Sequence, residues 1–152
     1  MFEQLAGAIA DVRIPSEPDA AVEAIRLVDR LGARVSVAVG ELDARWPQLR
    51  PGEPPLATWL RRQARLSYTD AERLVLTARR LRGWPLTRRA WLDGVLSSGQ
   101  IGAVMTNVPV AATGRWASDE RDVVPALIGL SVTDTAAALR RWAAGDRPDG
   151  RG

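Results

Sequence analysis

The 152-residue chain contains no histidine, no cysteine and no lysine. Without these side chains it cannot form thiol nucleophiles, disulfides, imidazole bases, thiolate or imidazole metal sites, Schiff-base lysines or the phosphate-binding lysine of a P-loop. Carboxylates, hydroxyls and arginines remain, and no group of them indicates a carboxylate-bound magnesium site or a paired-carboxylate glycosidase. We therefore predict no catalytic residue, no metal site and no cofactor.

Long apolar runs and alternating strand patterns are also missing. No run approaches the roughly 18 apolar residues of a membrane helix, and the N-terminus lacks the layout of a signal peptide, so we expect a cytoplasmic protein without a membrane partner. Hydrophobic residues make up 46% of the chain and charged residues 26%, which is typical of a globular protein. We predict one domain over residues 1–145 and a flexible tail over 146–152.

The first third of the chain predicts a short helix over about residues 2–12 and a long helix after Pro18. Val22, Leu27 and Val37 lie off the apolar stripe of the long helix, and they widen its apolar face enough for two neighbours or a second copy of the chain. The segment 35–40, VSVAVG, is also compatible with a strand, but its place within the stripe favours a helix. The stripe consists of Ala21, Ala24, Ile25, Val28, Leu31, Gly32, Val35, Ala38, Val39, Leu42 and Trp46.

The middle third contains the clearest helix boundaries. A short amphipathic helix begins at Leu56, and the next helix has two overlapping start signals, one at Ser67 with Asp70 and one at Thr69 with Glu72. Further helices follow Pro85 and a capping box of Ser97 and Gln100, up to Pro109. Short turns join these helices, so the segment 69–108 resembles a helix-turn-helix.

The last third predicts a helix capped at Ser118, with acidic residues in its first turn, and a final helix that begins near Ser131 or Thr133 and ends at Gly145. Together the segments predict an all-α protein, a single bundle of six to eight helices. The acidic residues are Asp119, Glu120 and Asp122. The predicted single core contains Trp59, Leu74, Ala78, Leu81, Ile101 and Val104.

Positive charge is concentrated in the middle third. Residues 56–91 contain nine arginines and two acids, a net charge of +7, whereas the flanking segments have net charges of −3 and −1. Such a segment indicates either a nucleic-acid surface or an ordinary solvated face paired with acids from the flanking segments. The arginines predicted to contact DNA are Arg61, Arg62, Arg65, Arg73, Arg79, Arg80, Arg88 and Arg89; Arg82 is the ninth.

The chain contains six tryptophans but only one phenylalanine and one tyrosine. Tryptophan among arginines can stack on unpaired bases. Trp59, Trp84 and Trp91 neighbour aliphatic residues or helix junctions, so we predict that the indoles fill gaps between helices and that their N–H groups donate to carbonyls.

The segments ATWLRRQARLSYTDAERLVLTARRL and WPLTRRAWLDGVLSSGQIGAV resemble the N-terminal helical domain of actinobacterial HNH endonuclease-like proteins, the 13E12 repeat family or domain of unknown function 222. The resemblance covers residues 56–150 and rests on a distributed pattern of caps and core positions, among them Trp59-Leu60, Ala71-Glu72-Arg73, Pro85 and Gln100. Members of this family usually continue into an HNH nuclease module with metal-binding histidines. This sequence has no histidine, so the resemblance implies no nuclease residue and no intrinsic nuclease activity.

The resemblance and the basic segment together predict a non-catalytic accessory domain that associates with duplex DNA. The surplus apolar positions of the long helix favour an alternative, a protein interaction or dimerisation module. The expected partners are accordingly duplex DNA, a nuclease or a second copy of the chain.

Overall fold

A computed structural model of the protein describes residues 1–145, and these residues form eight α-helices and one 3₁₀ turn without a β-strand. This confirms the predicted all-α class and places the ambiguous segment 35–40 inside a helix. None of the helices in residues 1–145 combines the length and apolar character that a membrane crossing requires. The predicted tail, 146–152, lies outside the described residues. The helices are α1 (Glu3–Asp11), α2 (Pro18–Leu49), α3 (Leu56–Gln63), α4 (Tyr68–Leu81), α5 (Pro85–Leu92), α6 (Ser98–Asn107), α7 (Thr113–Leu127) and α8 (Val132–Ala143), and the 3₁₀ turn is Val110–Ala112.

Serine caps fix three of the helix starts. The hydroxyls of Ser67 and Ser131 each accept a bond from a backbone N–H three residues ahead, at 3.0 Å, so α4 begins with the first of its two predicted signals. Ser97 and Gln100 form the predicted reciprocal capping box at the start of α6. After α8, Gly145 adopts φ +101°, the left-handed conformation that ends helices and favours glycine.

The predicted helix start at Ser118 is wrong. α7 begins at Thr113, and the Ser118 hydroxyl donates to the carbonyl of Gly114 within the helix. The buried stripe of α7 includes Trp116, so burial of this indole extends the helix by more than a turn ahead of the serine. Gly114 weakens the local helix propensity, and tertiary packing outweighs this effect.

The prediction of a single core is also wrong, because the buried side chains form two clusters. A smaller cluster between α2, α3 and α4 includes Ala78, with Trp59 and Leu74 packed against it, and a larger cluster includes Leu81, Ile101 and Val104. Where α2 crosses α4, a Cβ atom on Gly40 would lie 2.9 Å from the Ala78 carbonyl oxygen. The backbones of α2 and α4 therefore approach closely within the smaller cluster, and a side chain at position 40 would prevent this contact.

Tryptophans join the helices in both clusters, as predicted. Trp84, Trp116 and Trp142 are fully buried and their rings pack in series, with centroids 5.9 and 5.1 Å apart. Five of the six indole N–H groups donate to an acceptor within residues 1–145, for example Trp84 to the Thr113 carbonyl and Trp142 to Asp119. Burial of the rings therefore leaves few unpaired polar groups.

A buried carboxylate holds the start of α5. Glu120 of α7 is 3% exposed, and its oxygens accept bonds from the backbone N–H groups of Leu86 and Thr87 and from the Thr87 hydroxyl, at 2.7 to 3.1 Å. The Trp116 indole donates to the same hydroxyl. The prediction that Asp119, Glu120 and Asp122 lie in the first turn of their own helix is therefore wrong: they lie within α7, and Glu120 caps the start of α5 instead.

Candidate functional site

The arginine-rich segment, residues 56–91, does not form one carboxylate-free surface. Arg79 makes two parallel hydrogen bonds of 2.9 Å to Asp43 of α2. These bonds hold the pKa of the Asp43 carboxyl below its usual value and raise the pKa of the Arg79 guanidinium. The Asp43 side chain is only 12% exposed, so this ion pair belongs to the packing between α2 and α4.

Arg80 is also used within the fold. Its guanidinium donates to the carbonyls of Met105 and Val108 at the end of α6, at 3.1 and 2.7 Å, and lies 4.7 Å from the centre of the Trp84 ring. Desolvation by burial lowers the pKa of this guanidinium. A cation at a helix C-terminus is favourable, so Arg80 stabilises the contact between α4 and α6.

Two further arginines lie near acids that are three or four residues away in the sequence. Arg73 lies 3.9 Å from Asp70, and Arg89 bonds to Asp93 at 3.1 Å. Both pairs are exposed, so each stabilises the fold only slightly. Arg73 and Arg80 line the same groove between α4 and α6, together with Tyr68 and Leu76.

The remaining arginines of the segment form no ion pair within residues 1–145. Three of them lie within five residues at the end of α3, where Arg65 closes the helix with φ +56°. Arg62 and Arg65 are exposed, whereas Arg61 and Arg88 are half-buried. The arginines in question are Arg61, Arg62, Arg65, Arg82 and Arg88.

A second surface, formed by exposed apolar side chains, lies in the N-terminal part of the chain. Twelve of the twenty exposed large apolar residues in residues 1–145 belong to the first 35 residues. No residue of α1 is buried, although Phe2, Leu5 and Ile9 form an apolar stripe along it. The N-terminal apolar surface, as we define it, consists of Phe2, Leu5, Ile9, Val22, Ile25, Leu27, Val28, Leu31 and Val35.

The first half of α2 is nevertheless anchored to the rest of the bundle. Asp29 accepts a bond of 2.8 Å from the backbone N–H of Ser98 at the start of α6. Arg30 lies against Gly94, which has φ +77° and whose added Cβ would stand 3.1 Å from the Arg30 Cδ. The helix therefore presents its apolar residues from a fixed position.

Sequence reasoning did not identify this surface as a site. The available signal was the surplus of apolar residues on the long helix, including Val22 and Leu27, because a helix with one buried stripe does not require them. Which of these residues stay exposed depends on how much of α2 the other helices cover, and only the tertiary structure shows this.

Comparisons of the chain with protein-family models, with curated proteins and with solved structures give no match. The resemblance to the 13E12 repeat family thus stays a prediction. Within residues 1–145, no three acidic side chains are placed to hold a metal ion together. The two arrangements that bear on function are the N-terminal apolar surface and the arginines at the end of α3.

Proposed function

We propose that this protein is a non-catalytic protein-interaction module, and that its N-terminal apolar surface binds a protein. The observation that supports the proposal is the concentration of exposed apolar side chains on α1 and the first half of α2, among them Val28 at 70% and Ile25 at 67% exposure. Exposed large apolar side chains concentrated in one part of a chain are unfavourable in water, and such surfaces mark interaction sites. If the family resemblance holds, the module is an accessory domain in an HNH endonuclease-like system.

The natural absence of cysteine supplies a direct test. A Val28→Cys variant carries one thiol on the apolar surface, and a Leu76→Cys variant carries one on α4, at an exposed apolar position outside that surface. We expect a membrane-permeant maleimide to label the thiol at position 28 several-fold more slowly than the thiol at position 76 in cells of the natural source at native expression. Equal rates in cells would contradict the proposed function.

Association with duplex DNA is the second candidate, and the arginines at the end of α3 favour it. Arg79 and Arg80 are occupied by partners within the fold, so we assign the phosphate contacts chiefly to Arg61, Arg62 and Arg65, with Arg88 as a further candidate. Weak binding with little sequence preference is expected, because phosphate contacts carry no base information.

The DNA proposal predicts a salt-dependent affinity that the α3 arginines control. Replacing Arg61, Arg62 and Arg65 together by alanine should reduce the slope of log affinity against log salt by about 2.7, since each phosphate contact contributes about 0.9. An Arg121→Ala variant serves as the control, because Arg121 is exposed on α7 outside the basic segment, and fluorescence anisotropy with duplex DNA at several salt concentrations provides the measurement. Undetectable binding at low salt, or an unchanged slope in the triple variant, would remove this candidate.

A further inference from the structure

The exposed side of α2 carries a heptad pattern. The spacing alternates between three and four residues, which is the spacing of the a and d positions of a coiled-coil seam. In the structure the seam does not face α4: Val28 and Val35 are 70% and 47% exposed, whereas Ser36, Val39 and Gly40 form the buried side. The seam residues are Ala21, Ala24, Val28, Leu31, Val35 and Ala38; Leu42, the next position of the pattern, packs against the smaller cluster and ends the seam.

Gly32 flanks this seam, and nothing within the described residues explains it. A glycine inside a helix costs about 1 kcal/mol relative to alanine. At Gly40 the close approach of Ala78 accounts for the glycine, but a Cβ atom on Gly32 would meet no atom within 4 Å. Glycine and the alanines at positions 21, 24 and 38 are what a second helix requires when it packs closely against this side.

The seam is complementary to itself in the antiparallel direction. When two copies of α2 cross with their centre between Val28 and Leu31, Val28 of each copy meets Leu31 of the other. Ala24 then meets Val35, so a small side chain lies opposite a larger one. The side chains therefore interdigitate with no change in helix geometry.

The charged residues beside the seam also favour antiparallel packing of the two α2 helices. Glu23 and Arg34 lie on one flank of the seam, on opposite sides of its centre, and neither forms an ion pair within residues 1–145. An antiparallel second copy brings Glu23 next to Arg34 twice. In a parallel dimer the two-fold axis would run along the seam and place this flank of the two copies on opposite sides, so Glu23 and Arg34 would form no pair between the copies.

We propose that the occupant of the N-terminal apolar surface is a second copy of this chain, and that the two copies form a two-fold symmetric dimer through antiparallel packing of α2. This inference rests on the proposed function and specifies its partner. A stable interface buries about 800 Å² on each partner. The seam from Ala21 to Ala38 extends over about 25 Å of helix.

Analytical ultracentrifugation of the purified chain tests the dimer. The wild-type chain should show a concentration-dependent dimer, and Val28→Glu or Leu31→Glu should raise the dimer Kd by about 100-fold or more, because each dimer buries the new carboxylate twice. Leu76→Glu is the matched control: Leu76 is 47% exposed, like Val35, but lies on α4, and this variant should dimerise as the wild type does. Unchanged circular dichroism and melting temperature would show that each variant still folds.

A charge exchange tests the direction of packing. Glu23→Arg alone and Arg34→Glu alone should each raise the dimer Kd by about three- to tenfold, and the double variant should restore the wild-type value. In a parallel dimer these side chains would not meet, so the single variants would leave the dimer Kd unchanged. That result, or a double variant that dimerises no better than the single variants, overturns the antiparallel assignment.

The outcomes separate this inference from the function on which it rests. A purified chain that stays monomeric at every concentration overturns the dimer. If the thiol at position 28 is nevertheless protected in cells, the surface binds a different protein and the proposed interaction module stands. If that thiol is labelled freely in cells and the purified chain is monomeric, both proposals fail.

Discussion

The N-terminal 35 residues and the arginine-rich segment 56–91 differ in how their side chains are used: apolar side chains remain exposed in the first region, and charged side chains bond within the fold in the second. The first region is apolar and carries a core-like stripe, yet most of its large side chains remain exposed. The second region has a charge of +7 and resembles a binding surface, yet Arg79 and Arg80 bond within the fold. Composition alone thus misjudges both regions, because burial and ion pairing depend on partners that are distant in sequence.

The largest expected change in the free energy of unfolding comes from replacing a leucine, and it should differ between the two regions. Leu81 is 2% exposed in the larger cluster, and Leu31 is 39% exposed on α2. Leu81→Ala should lower the free energy of unfolding by about 2 to 5 kcal/mol, since it removes buried surface and leaves a cavity. Leu31→Ala should lower that of the monomer by less than about 1 kcal/mol.

Urea denaturation at a protein concentration below the dimer Kd measures both values. If Leu31→Ala destabilised the monomer as much as Leu81→Ala does, the N-terminal half of α2 would be part of the core and not a free surface.

A change of intermediate size in the free energy of unfolding should distinguish an arginine bonded within the fold from an exposed one. Arg80→Ala should lower the free energy of unfolding by about 2 kcal/mol, because two carbonyls at the end of α6 lose a charged donor. Arg62→Ala is the control, since this side chain is exposed and should contribute less than about 0.5 kcal/mol. Equal values from chemical denaturation would show that Arg80 does not stabilise the bundle.

The smallest effect is the pH dependence of the pair between Asp43 and Arg79. The folded-state pKa of Asp43 is lowered by the hydrogen bonds from Arg79, so the pair stabilises the fold above the unfolded-state pKa, and this contribution disappears as pH falls through the folded-state pKa. Arg79 is 55% exposed, so Asp43→Asn should lower the free energy of unfolding by only about 0.5 to 1 kcal/mol at pH 7.

Thermal melts of the wild type and Asp43→Asn from neutral to strongly acidic pH should therefore converge at the acidic end. Asp122→Asn is the control, because Asp122 is exposed within α7 and forms no ion pair within residues 1–145, so this substitution should change the melting temperature little. A constant difference between wild type and Asp43→Asn across the whole range would show that the pair is not the cause.

The sequence by itself determined the elements of this fold. Helical spacing and caps at Ser67, Ser97 and Ser131 predicted all-α structure and most helix boundaries, because caps and short-range periodicity act within a few residues. The same reasoning failed at Ser118, where burial of Trp116 extends α7 backwards and a distant contact outweighs a local signal.

Only the tertiary structure decided which residues of each helix are covered. It divided the core into two clusters, placed Glu120 at the start of α5, and left Val28 and its neighbours without a partner within residues 1–145. These outcomes depend on contacts between residues far apart in the chain, and helix periodicity specifies a face without specifying what packs against it.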